Sequence, residues 1–135
     1  LDLRIAKNAC AKKVHELETL GRHCILDAYG CNPIYLDDED FVRGAIKKAV
    51  TCSGATLLQL IAHKFQPQGV TALALLSESH IALHTWPELN YVAVDVFTCG
   101  KHTDPDAACT LLKKEFESES SIIKVFNRAT KQINI

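Results

Sequence analysis

Between Ser79 and Cys99 the chain sets a hydroxyl, two imidazoles, an indole, a carboxylate and a thiol into otherwise core-like sequence. The stretch from Gly69 to Gly100 reads GVTALALLSESHIALHTWPELNYVAVDVFTCG. A plain sheet needs none of these polar groups. Three chemistries are open to them. His80 and His84 stand four apart in an extended segment, so both can face one side and share a metal. No third ligand stands at a fixed spacing, and no metal is expected. A Ser/His hydrolase places its nucleophile in a G-x-S-x-G elbow between strand and helix. That elbow is missing, and Ser79 lies between two strands. The third chemistry uses the backbone. In a strained turn a Ser hydroxyl attacks the preceding carbonyl carbon, turning the amide into an ester. β-Elimination then breaks the chain, and hydrolysis of the dehydroalanine leaves a pyruvoyl group and ammonia. This needs a serine at a bend, a hydroxyl beside the oxyanion and a base for the α-proton, roles that Ser79, Thr71 and His84 can fill. Each has a bland counterpart. Ser-Glu-Ser is a common turn, Cys99 can be a buried strand-end thiol, His84 a satisfied core imidazole, and Trp86-Pro87-Glu88 a packed turn.

The elements that must position these groups follow from periodicity. Ile5, Ala9, Val14 and Leu17 share a face, which predicts a docking helix over residues 4–20, ended by Gly21. Arg22 to Tyr29 reads as a strand and Gly30-Cys31-Asn32-Pro33 as a turn. The acidic run Asp37-Asp38-Glu39-Asp40 starts a helix, where carboxylates cap free N–H groups and complement the dipole. Its apolar face is Phe41, Val42, Ala45, Ile46, Ala49 and Val50, and it stops near Ser53-Gly54. Ala55 to Lys64 is a strand, followed by the turn Gln66-Pro67-Gln68-Gly69. Val70 to Leu76, Ile81 to Thr85 and Tyr91 to Phe97 are closely spaced strands, and such short connections favour antiparallel pairing. Asp104-Pro105 opens the last helix, with Ala108, Leu111, Leu112 and Phe116 on its buried side. Ser121 to Ala129 closes the chain as a strand. The expected fold is α+β, a two-layer sandwich of a mainly antiparallel sheet with helices on one face. The other face keeps an apolar row, Ala72, Ala74 and Leu76 or Val92, Val94 and Val96. It needs a cover, and a second copy of the chain gives an α-β-β-α dimer.

The totals agree with one folded domain: 135 residues, 47% of them hydrophobic. Fifteen basic and 16 acidic side chains leave a charge of −1, so no broad basic surface is implied and nucleic acid is not an expected partner. No apolar run reaches the ~18 residues of a membrane span, so no membrane contact is expected. Cys10, Cys24, Cys31, Cys52, Cys99 and Cys109 form no C-x-x-C pair, and no secretory signal stands before them. This predicts reduced, buried thiols in a cytoplasmic protein. The chain opens on Leu1 and lacks Met, which points to a trimmed N-terminus.

The run Ser77-Glu78-Ser79-His80-Ile81-Ala82-Leu83-His84-Thr85-Trp86-Pro87-Glu88, with Tyr91-Val92-Ala93-Val94-Asp95-Val96-Phe97-Thr98-Cys99-Gly100 after it, resembles the prokaryotic S-adenosylmethionine decarboxylase proenzymes. Gly21-Arg22-His23, Tyr29-Gly30-Cys31 and Phe65-x-Pro67-x-Gly69-Val70 match the same family, and the resemblance spans residues 21 to 117. It implies self-cleavage between Glu78 and Ser79 within a decarboxylase domain of residues 21–135, residues 1–20 being an extension. The products would be a β chain (1–78) and an α chain (79–135), with Ser79 converted into a pyruvoyl cofactor. The family's processing histidine falls on His84 and its catalytic thiol on Cys99. Thr71 stands where the family often has Ser; it keeps the hydroxyl and adds a methyl that stiffens χ1. The substrate amine would form a Schiff base with the pyruvoyl carbonyl, which accepts the electrons released with carbon dioxide. Cys99 would return a proton to Cα. The resemblance also implies S-adenosylmethionine as substrate, with Phe65 stacking on adenine, Trp86 lining the site, Glu88 on the ribose hydroxyls and the sulfonium against an aromatic face. The family site lies at a homodimer interface, so Phe65 would act on the partner's pyruvoyl group. The product would donate an aminopropyl group in spermidine synthesis. Two alternatives stay open. One is a pyruvoyl-dependent arginine or ornithine decarboxylase, because Leu89-Asn90 departs from the commoner Tyr-Gly. The other is a non-catalytic paralogue, which the joint presence of Ser79, His84 and Cys99 opposes.

Overall fold

A computed structural model describes residues 21–129. The helix expected over residues 4–20 lies outside the described residues. The order is β1 (Gly21–Tyr29), α1 (Pro33–Leu36), α2 (Glu39–Cys52), β2 (Leu57–Lys64), β3 (Val70–Leu76), β4 (Ser79–Trp86), a 3₁₀ turn (Pro87–Leu89), β5 (Tyr91–Cys99), α3 (Pro105–Glu115) and β6 (Ser120–Arg128). The one-turn α1 starts at Pro33, the last residue of the stretch expected as a turn. Pro33 opens it and the Asn32 side chain accepts from Ile34 N, so a proline-plus-cap signal became a helical turn. In the acidic run the capping residue is Asp38, whose carboxylate accepts from Phe41 N at 3.0 Å. Asp104 caps α3 through Ala107 N at 3.1 Å, with Pro105 in the first turn.

The six strands form one sheet in the order β2-β3-β4-β5-β1-β6, and every neighbouring pair is antiparallel. The two-layer α+β expectation is therefore met, with β1 inserted between β5 and β6. α2 and α3 pack together over one face, where Leu26, Ile46, Leu83, Leu112 and Phe116 are fully buried. Among the described residues no helix is long and apolar enough to cross a membrane.

One expectation is reversed. Ala72, Ala74, Leu76, Val92, Val94 and Val96 are not the uncovered row; all are at most 2% exposed and form the core beneath the helices. The open face carries the alternate positions, with Ile61 55%, Leu73 47% and Leu75 45% exposed. From Ala72 to Leu76 both rows of β3 are apolar, so period-two alternation there holds little polarity contrast to choose a face, Thr71 being the strand's one polar residue. The small Ala and Val side chains let the helices approach the sheet, and the larger leucines are left outside.

Candidate active site

Ser77 and Glu78 make a two-residue loop, because Leu76 of β3 pairs directly with Ser79 of β4. The favoured two-residue hairpins place positive φ within the loop, usually at Gly or Asn. Neither loop residue here has positive φ; instead Ser79, the next residue, has φ 144°. A non-glycine residue in that region stores on the order of 1–3 kcal/mol. The strain expected from the residue types thus falls on the serine itself.

The peptide carbonyl before Ser79 is held. Glu78 O accepts from Cys99 N at 3.1 Å, and Cys99 Sγ lies 3.3 Å away from the same oxygen. The Glu78 side chain is only 4% exposed. Its Oε1 accepts from Thr56 N at 2.9 Å, and its Oε2 lies 2.7 Å from His102 Nε2. Gly100, at φ 98°, lets the chain fold back; a Cβ there would sit 2.7 Å from the His102 ring. Ser79 Oγ lies 3.2 Å from His80 Nδ1. His102 escaped the sequence reading, since an exposed loop histidine carries no periodic signal.

Cys24, Cys31, Cys52 and Cys109 are free, as expected, but Cys52 is exposed rather than buried. Burial pushes the Cys31 thiol up to about 11, which makes it a packing residue.

Thr71 and His84 are brought together as expected. They face each other across β3 and β4, with Thr71 Oγ1 3.0 Å from His84 Nδ1. They are not brought to Ser79 of the same chain. Ser79 and His84 lie at the start and near the end of one extended strand, about 17 Å apart at ~3.3 Å per residue. The same rise puts His80 and His84 about 13 Å apart, too far to share an ion.

Around His84 the open face is aromatic. The His84 and Trp86 ring centres are 6.4 Å apart, Trp86 stacks on Tyr91 at 5.3 Å, and Tyr91 stacks on Tyr29 at 5.3 Å. The Tyr91 hydroxyl donates to Asp27; burial and that carboxylate hold the phenol well above its ordinary pKa. Phe65 is 46% exposed and meets His63 edge-on at 4.6 Å. Glu88 is exposed in the 3₁₀ turn. Asn90 ends that turn at φ 50°, a left-handed position that Gly takes freely and Asn tolerates best among the others. The Leu89-Asn90 departure therefore leaves the backbone intact.

A family model for S-adenosylmethionine decarboxylase matches residues 22–129. An S-adenosylmethionine decarboxylase proenzyme from Parasynechococcus marenigrum (strain WH8102) is 56% identical over 111 residues, 82% of this chain and 87% of that one. One from the archaeon Methanococcus maripaludis (strain S2) is 45% identical over 112 residues, 83% of this chain and 92% of that one. The crystal structure of the Aquifex aeolicus adenosylmethionine decarboxylase superposes with a TM-score of 0.78 at 32% identity, covering 83% of this chain and 92% of that one. Fold and relatives together define an enzyme of the decarboxylase class. Within that class, the chain belongs to the S-adenosylmethionine decarboxylase family.

Proposed function

We propose that the chain cuts itself between Glu78 and Ser79, turns Ser79 into a pyruvoyl group and decarboxylates S-adenosylmethionine, in a homodimer whose sites draw on both protomers. The observation that carries this is the division of the site. The strained Ser79 and its held carbonyl lie at one end of β4, and the hydrogen-bonded Thr71–His84 pair lies toward the other. A second copy laid on the open face, with its strands running the opposite way, carries His84, Thr71, Phe65, Trp86 and Glu88 of the partner subunit over Ser79 and Cys99. The exposed Ile61, Leu73 and Leu75 supply the apolar area for that contact. An apolar hollow of about 330 Å³, lined by Ile61, Leu73, Leu75 and His80, lies in the same face.

The residues present suit formation of the pyruvoyl group. Attack of Ser79 Oγ on the Glu78 carbonyl carbon puts charge on an oxygen already facing Cys99 N–H, and cleavage releases the φ strain. With His84 Nδ1–H donating to Thr71 Oγ1, Nε2 keeps a lone pair for the Ser79 α-proton. Once formed, the pyruvoyl group supplies an electron sink for the leaving carboxylate. Cys99, as the reduced thiol, protonates the substrate Cα. Phe65 and Trp86 offer exposed ring faces to adenine and sulfonium, and the exposed Glu88 takes the ribose hydroxyls. The product is an aminopropyl donor for polyamine synthesis.

Intact mass spectrometry under denaturing conditions tests this. The expected result is two chains meeting at Glu78/Ser79, the second with a pyruvoyl-blocked N-terminus, and an uncut Ser79→Ala variant. A wild-type chain that stays whole after long incubation overturns the proposal.

A further inference from the structure

We propose that His80 is the base that opens the self-cleavage: its Nδ1 takes the hydroxyl proton of Ser79 as Oγ attacks the Glu78 carbonyl carbon. This rests on the cleavage reading above and supplies the step that His84 leaves unserved within a protomer.

In a regular strand, neighbouring side chains point to opposite faces. Ser79 pairs with the buried Thr98, and His80 pairs with Phe97 and Leu75 of the open face. Their side chains nevertheless meet, with Oγ 3.2 Å from Nδ1. The φ of 144° at Ser79 breaks the alternation at that residue. The backbone strain and the contact with an imidazole are thus one feature.

The surroundings of His80 favour its neutral form. Its ring lies 6.1 Å from that of Phe97. Burial, then the nearby His23, lower its pKa, against a smaller opposite pull from Asp95. Asp95 is itself engaged by His23 Nε2 at 3.0 Å. Arg128 lies 3.5 Å from His23 Nδ1 and 5.2 Å from the Phe97 ring centre. A neutral imidazole with its proton on Nε2 presents the Nδ1 lone pair to Ser79. The step balances without a co-reactant. The Oγ–C bond forms as the proton passes to Nδ1. The C–N bond then breaks, and the same proton moves from His80 to the departing Ser79 nitrogen. An amide has become an ester, and the imidazole is restored.

Hydroxylamine separates the steps, because it cuts the ester and leaves the amide. His80→Asn keeps an acceptor near the Nδ1 position and cannot carry a proton; His80→Ala removes both. Cleavage is followed by denaturing mass spectrometry, with and without hydroxylamine, on variants whose folding is checked by circular dichroism. The expected result is cleavage slowed roughly 100-fold or more in both variants, no acceleration by hydroxylamine, and recovery of His80→Ala with added imidazole. His84→Ala should instead accumulate a chain that hydroxylamine cuts. Wild-type cleavage should slow only below the ordinary imidazole pKa of about 6.5, and His80→Asn should lose that dependence. If His80→Ala does not fold, His80→Asn and its pH profile decide. Wild-type cleavage rates in His80→Asn, or an ester accumulating there, would overturn the assignment. In either case cleavage of the wild-type chain would still stand, so the two failures are distinguishable.

Discussion

Ser79 and Cys99 were legible because their types are out of place in core-like sequence, and the family resemblance added Glu78 as the other side of the cut. Their geometry was not: the positive φ of Ser79, the burial of Glu78 and its contact with His102 depend on strands far apart in the chain. Substitutions at two residues separate the roles at this scale. Thr71→Val keeps the shape and removes the partner of His84 Nδ1. It should slow self-cleavage about 10-fold or more by mass spectrometry, whereas Thr71→Ser, free of the γ-methyl, should match or exceed the wild type. Cys99→Ala leaves the backbone N–H on the Glu78 carbonyl, so the chain should still be cut. Its decarboxylation, assayed under reducing conditions by release of carbon dioxide, should fall by roughly 10²–10⁴.

The strands and helices were readable from periodicity and caps, but the role of Asp37 was not. It ends α1 rather than starting α2, and its carboxylate reaches across to the turn between β2 and β3. Oδ1 accepts from Lys64 and, at 2.9 Å, from Gly69 N. Gly69, at φ 100°, directs the chain into β3 and so into Thr71. The Lys64 hydrogen bond, then that of Gly69, hold the Asp37 carboxyl below its ordinary range. Its folded pKa is depressed, so its stabilisation is present above the unfolded value of about 3.9 and is lost as pH falls through the folded value. Asp37→Asn should cost roughly 0.5–1 kcal/mol at neutral pH, the scale of an exposed ion pair. The gap in Tm between the two proteins should close in acid. An unchanged gap at low pH would assign the loss to packing.

At the scale of the whole molecule, composition and pattern gave the two layers but not which apolar row faces outward, since from Ala72 to Leu76 the alternation in β3 sets alanines against leucines and only Thr71 marks the outer row. Nor did they give the position of β1 between β5 and β6, a pairing of distant segments. Most consequential is the distance between Ser79 and His84, about 17 Å along β4, which removes the single-chain site that the residue types suggested. The measurement that bears most directly on a shared site is co-expression of a Ser79→Ala chain with a His84→Ala chain, separated by tags and weighed intact. Each variant alone should remain whole. In the mixed dimer the His84→Ala chain should be cut at Glu78/Ser79, because its own serine meets the intact His84 of the partner subunit, while the Ser79→Ala chain stays whole. A His84→Ala chain that remains uncut in a confirmed mixed dimer, or that is cut on its own, would contradict the shared site.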